Sequence, residues 1–133
     1  MTSDRPDPKA GERAYYAQIG EAGVEHARGK PFSDARRGYY LADMGAILTM
    51  IDPPPRRILD LGCGAGWTSH FLAKAGYTVT GVDISPDAIA IAESNIPESL
   101  RARLTFRLGD YEANSEPGAF DYVLFYDALH HAE

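Results

Sequence analysis

The 133 residues (14.5 kDa) give room for one domain of ordinary size and not for two. Hydrophobic residues at 44% and charged residues at 24% exclude wholesale disorder and fibrous repeats. Of the net charge of −6, the stretch after residue 57 carries more than its share, with four Lys/Arg against eleven Asp/Glu and no basic run, which argues against a nucleic-acid partner.

The longest apolar stretch, Ala46–Ile51, is interrupted by Thr49 and is far too short for a membrane span, so no membrane partner is expected. The start, MTSDRPDPKAGERAYY, has no apolar signal core, and a cytoplasmic protein is the expectation. A single cysteine, Cys63, rules out an internal disulfide and a cysteine-based zinc site, and no His/Asp/Glu set has metal-ligand spacing.

Residues 1–11, with Pro6, Pro8 and Gly11 among charges, read as a mobile tail. Residues 12–55 read as a helical cap in two parts. Tyr15, Ile19 and Ala22 keep helical spacing from Glu12 to Arg28. After Pro31, Ser33 or Asp34 is placed to cap a helix with Leu41, Met44, Leu48 and Ile51 on one face, which Pro53-Pro54-Pro55 ends. Tyr39 and Tyr40 are expected to pack that helix on the core.

From residue 56 the rhythm becomes strand, turn, helix. Strands are expected at Arg57–Leu61, Tyr77–Val82, Leu104–Leu108 and Phe120–Tyr126. Helices are expected at Trp67–Ala75 and from Pro86 through Ser94. Alternation at this spacing predicts parallel βαβ units with right-handed crossovers, hence an α/β, Rossmann-like doubly wound sheet. Ligands of such sheets sit at the carboxyl ends of the strands.

Every turn at that edge carries a carboxylate. The first is Asp60-Leu61-Gly62-Cys63-Gly64-Ala65-Gly66, a glycine turn entering a helix, where backbone N–H groups are free to meet a ligand. Taken alone it is only a tight connection, and Cys63 fits it as a small filler. Asp60 adds a charge at the end of an apolar strand, which needs a donor or cation opposite. Asp83, 21 residues after Gly62, stands where nucleotide-binding units read a ribose diol; the helix cap that is its alternative duty is met by Ser85. Asp110 and Tyr111 follow the third strand; Tyr126, Asp127, His130 and His131 follow the fourth. A dinucleotide fingerprint would need its third glycine at position 67, where Trp67 stands, and Asp60 would repel a pyrophosphate. A sulfonium cofactor carrying an amino group suits Asp60. Trp67 itself reads as packing, and His26 and His70 as structural or solvated.

The segments ILDLGCGAGWTSHFLAKAGYTVTGVDISPDAIAIA, LGDYE and FDYVLFYDALHH resemble, in order, the motifs of class I S-adenosylmethionine (SAM)-dependent methyltransferases of the small-molecule type. The resemblance implies that Asp60, Gly62, Cys63, Gly64 and Gly66 lie along the methionine portion of SAM. It implies that Asp83 takes both ribose hydroxyls, Ile84 lies on adenine, Asp110 accepts from its amino group and Tyr111 flanks the ring. Tyr126 and Asp127 would border the sulfonium and the acceptor, and Asp127 or His130 is the base if the acceptor must lose a proton. Residues 15–20 are similar to the helix that precedes the core in this family.

The family sheet has seven strands in the order 3-2-1-4-5-7-6, whereas this sequence supplies four, order 3-2-1-4. The expectation is therefore an incomplete core over 56–133, a fragment of a longer protein that self-associates through the open edge at 120–126. Two alternatives to a methyltransferase are a nucleotide-binding oxidoreductase and a catalytically inactive adenosyl-binding module.

Overall fold

The computed structural model describes residues 20–110 and 119–126. In chain order the elements are α1 (Gly20–Gly29), α2 (Arg37–Met50), β1 (Arg57–Leu61), α3 (Trp67–Lys74), β2 (Thr78–Asp83), α4 (Pro86–Ser94), a 3-10 turn (Glu98–Leu100), β3 (Leu104–Leu108) and β4 (Tyr122–Leu124). All pairings in the sheet are parallel, as the alternation of elements predicts, and its order is β3-β2-β1-β4, as the family resemblance implies.

Period-two alternation decides what each strand shows to each face. In β1, Ile58 joins the core under the helices with Val79, Leu104 and Phe106, whereas Leu59 and Leu61 join Val82 and Phe120 on the other face. α3 meets the sheet through Thr68, Ser69, Leu72 and Ala73, and α4 through Ala88, Ile89, Ile91 and Ala92. The stripe on α2 is narrower than its spacing predicts: Met44 is fully buried, while Ile47, Leu48 and Ile51 pack against the core only in part.

Three local expectations change. Neither Ser33 nor Asp34 caps α2, whose first turn has no side-chain cap. Asp34 Oδ1 instead accepts from Arg36 N–H at 2.8 Å, and Ser33 Oγ donates to the His26 carbonyl at 2.6 Å. Both residues are spent on the turn between the helices. Tyr39 does not pack on the core; it is exposed, with the Arg36 guanidinium over its ring. β4 is also shorter than its apolar run. Asp121 anchors its start by accepting from Arg57 N–H at 2.8 Å and donating its own N–H to the Arg57 carbonyl at 2.8 Å. Pairing with β1 then lasts only from Tyr122 to Leu124 before Tyr126 turns toward α2. Val123 is 57% exposed, so the described residues leave one side of this strand open.

At the amino ends of the strands the sheet is tied to Asp52, next to the proline segment. The Tyr122 hydroxyl accepts from Asp52 N–H and donates to Asp52 Oδ2, and the Tyr77 hydroxyl donates to the Asp52 carbonyl.

Gly81 pairs with Asp60 across β1 and β2, beneath α3. A Cβ there would lie 2.7 Å from Phe106 Cδ1 and 2.8 Å from Ser69 Oγ, so α3 rests on this strand at a distance only glycine permits. Gly81→Ala is expected to destabilise the fold by about 1–3 kcal/mol. Gly45→Ala on α2, where a Cβ meets nothing within 4 Å, is expected to be neutral or to stabilise by up to about 1 kcal/mol. Chemical denaturation of the two variants checks the contrast.

Candidate functional site

The turn between β1 and α3 is shaped by three glycines at positive φ, Gly62 (69°), Gly64 (56°) and Gly66 (88°), a region costly for any other residue. Gly62 and Cys63 both donate their N–H to the Val82 carbonyl, at 2.8 and 3.0 Å, and Gly66 N–H closes the turn on the Cys63 carbonyl at 2.9 Å. The glycines have different duties. A Cβ on Gly66 would lie 2.5 Å from Phe106 Cζ, so its bare side is turned to the core and lets α3 start close to β3. The Cys63 side chain is likewise buried in the core beneath the helices, as its reading as a filler expects.

Asp83, buried at the end of β2, holds this turn in place. Its Oδ2 accepts from Gly64 N–H at 2.8 Å and its Oδ1 from Ser85 N–H at 2.9 Å. Ser85 Oγ in turn accepts from Ala88 N–H at 3.1 Å and caps α4, so capping is not the duty of Asp83. Gly109 N–H donates to the Asp83 carbonyl at 2.9 Å, which brings the turn after β3 to the same place. Beside it a cleft of about 340 Å³ is lined by Ile84, Pro86, Leu108, Gly109 and Asp110.

Asp60 is buried under α3, and the partners it requires are hydroxyls: Thr68 Oγ1 at 2.6 Å and Ser69 Oγ at 2.5 Å, both donating to Oδ2. These residues begin a helix that glycine alone starts, and their spacing of eight and nine from Asp60 gave no motif by which to find them in the sequence. Burial pushes the Asp60 carboxyl up to about 6, the Ser69 and Thr68 hydroxyls hold it down, and the nearby Asp83 charge adds to the rise.

A third group of residues closes the edge near β1 and β4. The rings of Tyr40, Trp67 and Tyr126 meet one another with centroids 5.5, 5.7 and 6.3 Å apart, and the Tyr126 hydroxyl donates to Asp43 Oδ2 at 2.7 Å. Trp67 and Tyr40 thus pack as expected, and they carry α2 to the sheet edge. Asp43 escaped the sequence reading because an exposed acid on a helix carries no local signal.

The structure therefore brings Asp60, Gly62, Gly64, Gly66, Asp83, Ile84, Asp110 and Tyr126 to one edge of the sheet. Tyr111, Asp127 and His130 lie outside the described residues. Glycine turn, strand-end acid and apolar cleft thus follow one another along the carboxyl edge of a Rossmann-like sheet, where such sheets take their ligands.

Residues 58–133 match the methyltransferase domain family, and the chain belongs to it. It is 45% identical over 73 residues to the magnesium-protoporphyrin O-methyltransferase of Rhodobacter capsulatus, covering 55% of this chain and 32% of that one. To the mitochondrial ubiquinone biosynthesis O-methyltransferase of Schizosaccharomyces pombe it is 39% identical over 80 residues, covering 59% and 29%. The chain thus spans about a third of the length of these curated relatives. Among solved structures, the magnesium protoporphyrin IX methyltransferase of Synechocystis PCC 6803 with bound SAM matches 98% of this chain and 66% of its own, with a TM-score of 0.75 and 25% identity. A SAM-dependent methyltransferase of Methanosarcina mazei matches 63% and 42%, with a TM-score of 0.56 and 31% identity.

The Asp60 carboxyl gives a pH signature. Its value in the fold, about 6, lies above the ordinary 3.8, so the folded state holds this proton more tightly than the unfolded one. Its contribution to stability is then fullest below about pH 4 and is lost as pH rises through about 6, by an amount of the order of 3 kcal/mol. Asp60→Asn, which keeps an acceptor for the two hydroxyls, removes that loss. Melting both proteins from about pH 4 to pH 7 should show the wild type falling relative to the variant as pH rises; parallel curves would refute the assignment.

Proposed function

We propose that this chain forms the cofactor-binding core of a SAM-dependent methyltransferase that methylates an oxygen on a small-molecule acceptor. One observation carries the reading: the positive-φ glycine turn is held on the end of β2 by the Gly64 N–H bond to Asp83, beside the cleft at Ile84 and Asp110. The residues present fit the cofactor part by part. The cleft offers the apolar side chains of Ile84 and Leu108 to a purine and the Asp110 carboxylate to its amino group. Each Asp83 oxygen accepts one backbone N–H and keeps a lone pair for a ribose hydroxyl. The glycine turn leaves room for the amino-acid end, with the Asp60 charge behind it to favour a cation. Oxygen as the atom methylated follows from the relatives, both of which are named as O-methyltransferases.

When bound, SAM supplies a methyl group on an already activated sulfonium leaving group, so the chain's own work is alignment and exclusion of water. Tyr40, Trp67 and Tyr126 are placed for that work, as an aromatic wall where α2 meets the sheet edge. Asp127 and His130 follow the strand that carries Tyr126 and are the candidates for a base when the acceptor hydroxyl must lose its proton.

Calorimetric titration with SAM, S-adenosylhomocysteine and NAD tests the reading. Both adenosyl compounds should bind and NAD should not. Asp83→Ala should weaken S-adenosylhomocysteine at least about tenfold, since charge-assisted bonds to two hydroxyls are worth about 1.5–3 kcal/mol each. Preference for NAD would favour a nucleotide-binding oxidoreductase. Cofactor binding without transfer to any hydroxylated acceptor would favour an inactive adenosyl-binding module.

A further inference from the structure

A second cavity runs along the outer side of α3, starting at Trp67, whose ring also stands in the aromatic wall with Tyr40 and Tyr126. Helical spacing puts Trp67, His70, Phe71 and Lys74 on the stripe opposite the one that packs on the sheet. In front of that stripe is a groove of about 590 Å³, closed on its other sides by Lys30, Pro31 and Phe32 and by the chain from Pro97 to Leu100. It shares no residue with the cleft at Ile84 and Asp110.

Both outer walls are fixed. Ser33 N–H donates to the Gly29 carbonyl at 3.1 Å, and Arg28 Nη2 reaches from α1 to Ser94 Oγ at 2.8 Å, tying the Lys30–Phe32 loop to α4. On the other side Leu100 is buried in the core and donates its N–H to the Pro97 carbonyl at 2.9 Å. The groove is therefore held open by the fold and not by loose loops.

Its charge is opposite to that of the chain. Lys30, His70 and Lys74 line it, and among the described residues no carboxylate does, although the sequence holds nineteen Asp and Glu. The acid next to Lys30 in space, Asp34, accepts from Arg36 N–H, meets His26 and feels the Lys30 charge, but does not line the groove. Among the described residues Lys74 makes no hydrogen bond or ion pair and Lys30 has only the longer-range attraction of Asp34, while His70 Nε2 is buried out of reach of the groove. Burial, helped by the Lys74 charge, holds the His70 imidazole below its ordinary range, so it is neutral at pH 7. The remaining surface is aromatic and prolyl: Trp67, Phe71, Phe32, Pro31 and Pro97.

We propose that this groove is a binding site for a small amphipathic anion, a flat apolar body bearing one carboxylate. The body lies against Trp67, Phe71 and Pro97, and the carboxylate sits between Lys30 and Lys74. Complementarity of charge and of surface selects that class. An inorganic anion would leave the aromatic floor uncovered, and a neutral apolar compound would leave the cations without a partner.

The test uses the full chain, with 2-naphthoate as the probe, 2-naphthylmethanol as its neutral counterpart and inorganic phosphate as the bare anion. Calorimetry should show naphthoate binding, the alcohol at least about fivefold weaker, and no binding of phosphate. Lys30→Gln and Lys74→Gln should each weaken naphthoate about fivefold while leaving the affinity for S-adenosylhomocysteine unchanged. No naphthoate binding in the millimolar range overturns the proposal. So does equal affinity for the alcohol, equal affinity for phosphate, or indifference to both substitutions. Naphthoate binding in a chain that takes up no S-adenosylhomocysteine would sustain the groove while refuting the cofactor reading above.

Discussion

The bond from Gly64 N–H to Asp83 Oδ2 is the constraint around which the edge of this sheet is organised. One carboxylate at the end of β2 fixes the glycine turn with one oxygen and the entry to α4 with the other. Its own carbonyl then fixes the turn after β3 through Gly109. Three separate crossovers thus converge on one buried residue. A charge in that position is tolerable because both oxygens accept backbone N–H groups, which would themselves be costly to leave unpaired. The turn is in this way preformed before any ligand arrives, so binding need not order it.

A second buried acid, Asp60, governs how closely α3 lies on the sheet. Its Oδ2 draws in Thr68 and Ser69, which places Ser69 over Gly81 and leaves no room there for a side chain. The same approach requires the bare face of Gly66 against Phe106. Packing and site are therefore one arrangement: the hydroxyls that satisfy Asp60 also set the helix whose start shapes the glycine turn. The rise of the Asp60 carboxyl to about 6 reflects what this proximity costs.

The parallel strand–helix alternation was legible because it depends on local pattern, and the strand order came with the family resemblance. Apolar runs bounded by glycine gave β1 and β3 at their observed bounds, and Ser85-Pro86 gave the start of α4. The readings that failed depended on competition between partners far apart in sequence. Ser33 and Asp34 have capping chemistry, but the turn at residues 29–36 claims both. The apolar run at Phe120–Tyr126 promised a long strand, but Asp121 binds Arg57 and Tyr126 binds Asp43, which clip it to three residues at either end of the pairing with β1. Thr68, Ser69 and Asp43 were invisible for the same reason: their partners are chosen by the fold and not by spacing.

The account rests on the glycine turn being the place where an adenosyl cofactor sits. The most direct measurement is the shift of backbone amide resonances of the labelled chain when S-adenosylhomocysteine is added. The largest changes should fall on Gly62, Gly64 and Gly66, on Asp83 to Ser85, and on Gly109 and Asp110, with little change in the groove at Lys30 and Ser99. Saturable binding that leaves those amides unmoved and perturbs another surface would contradict the account.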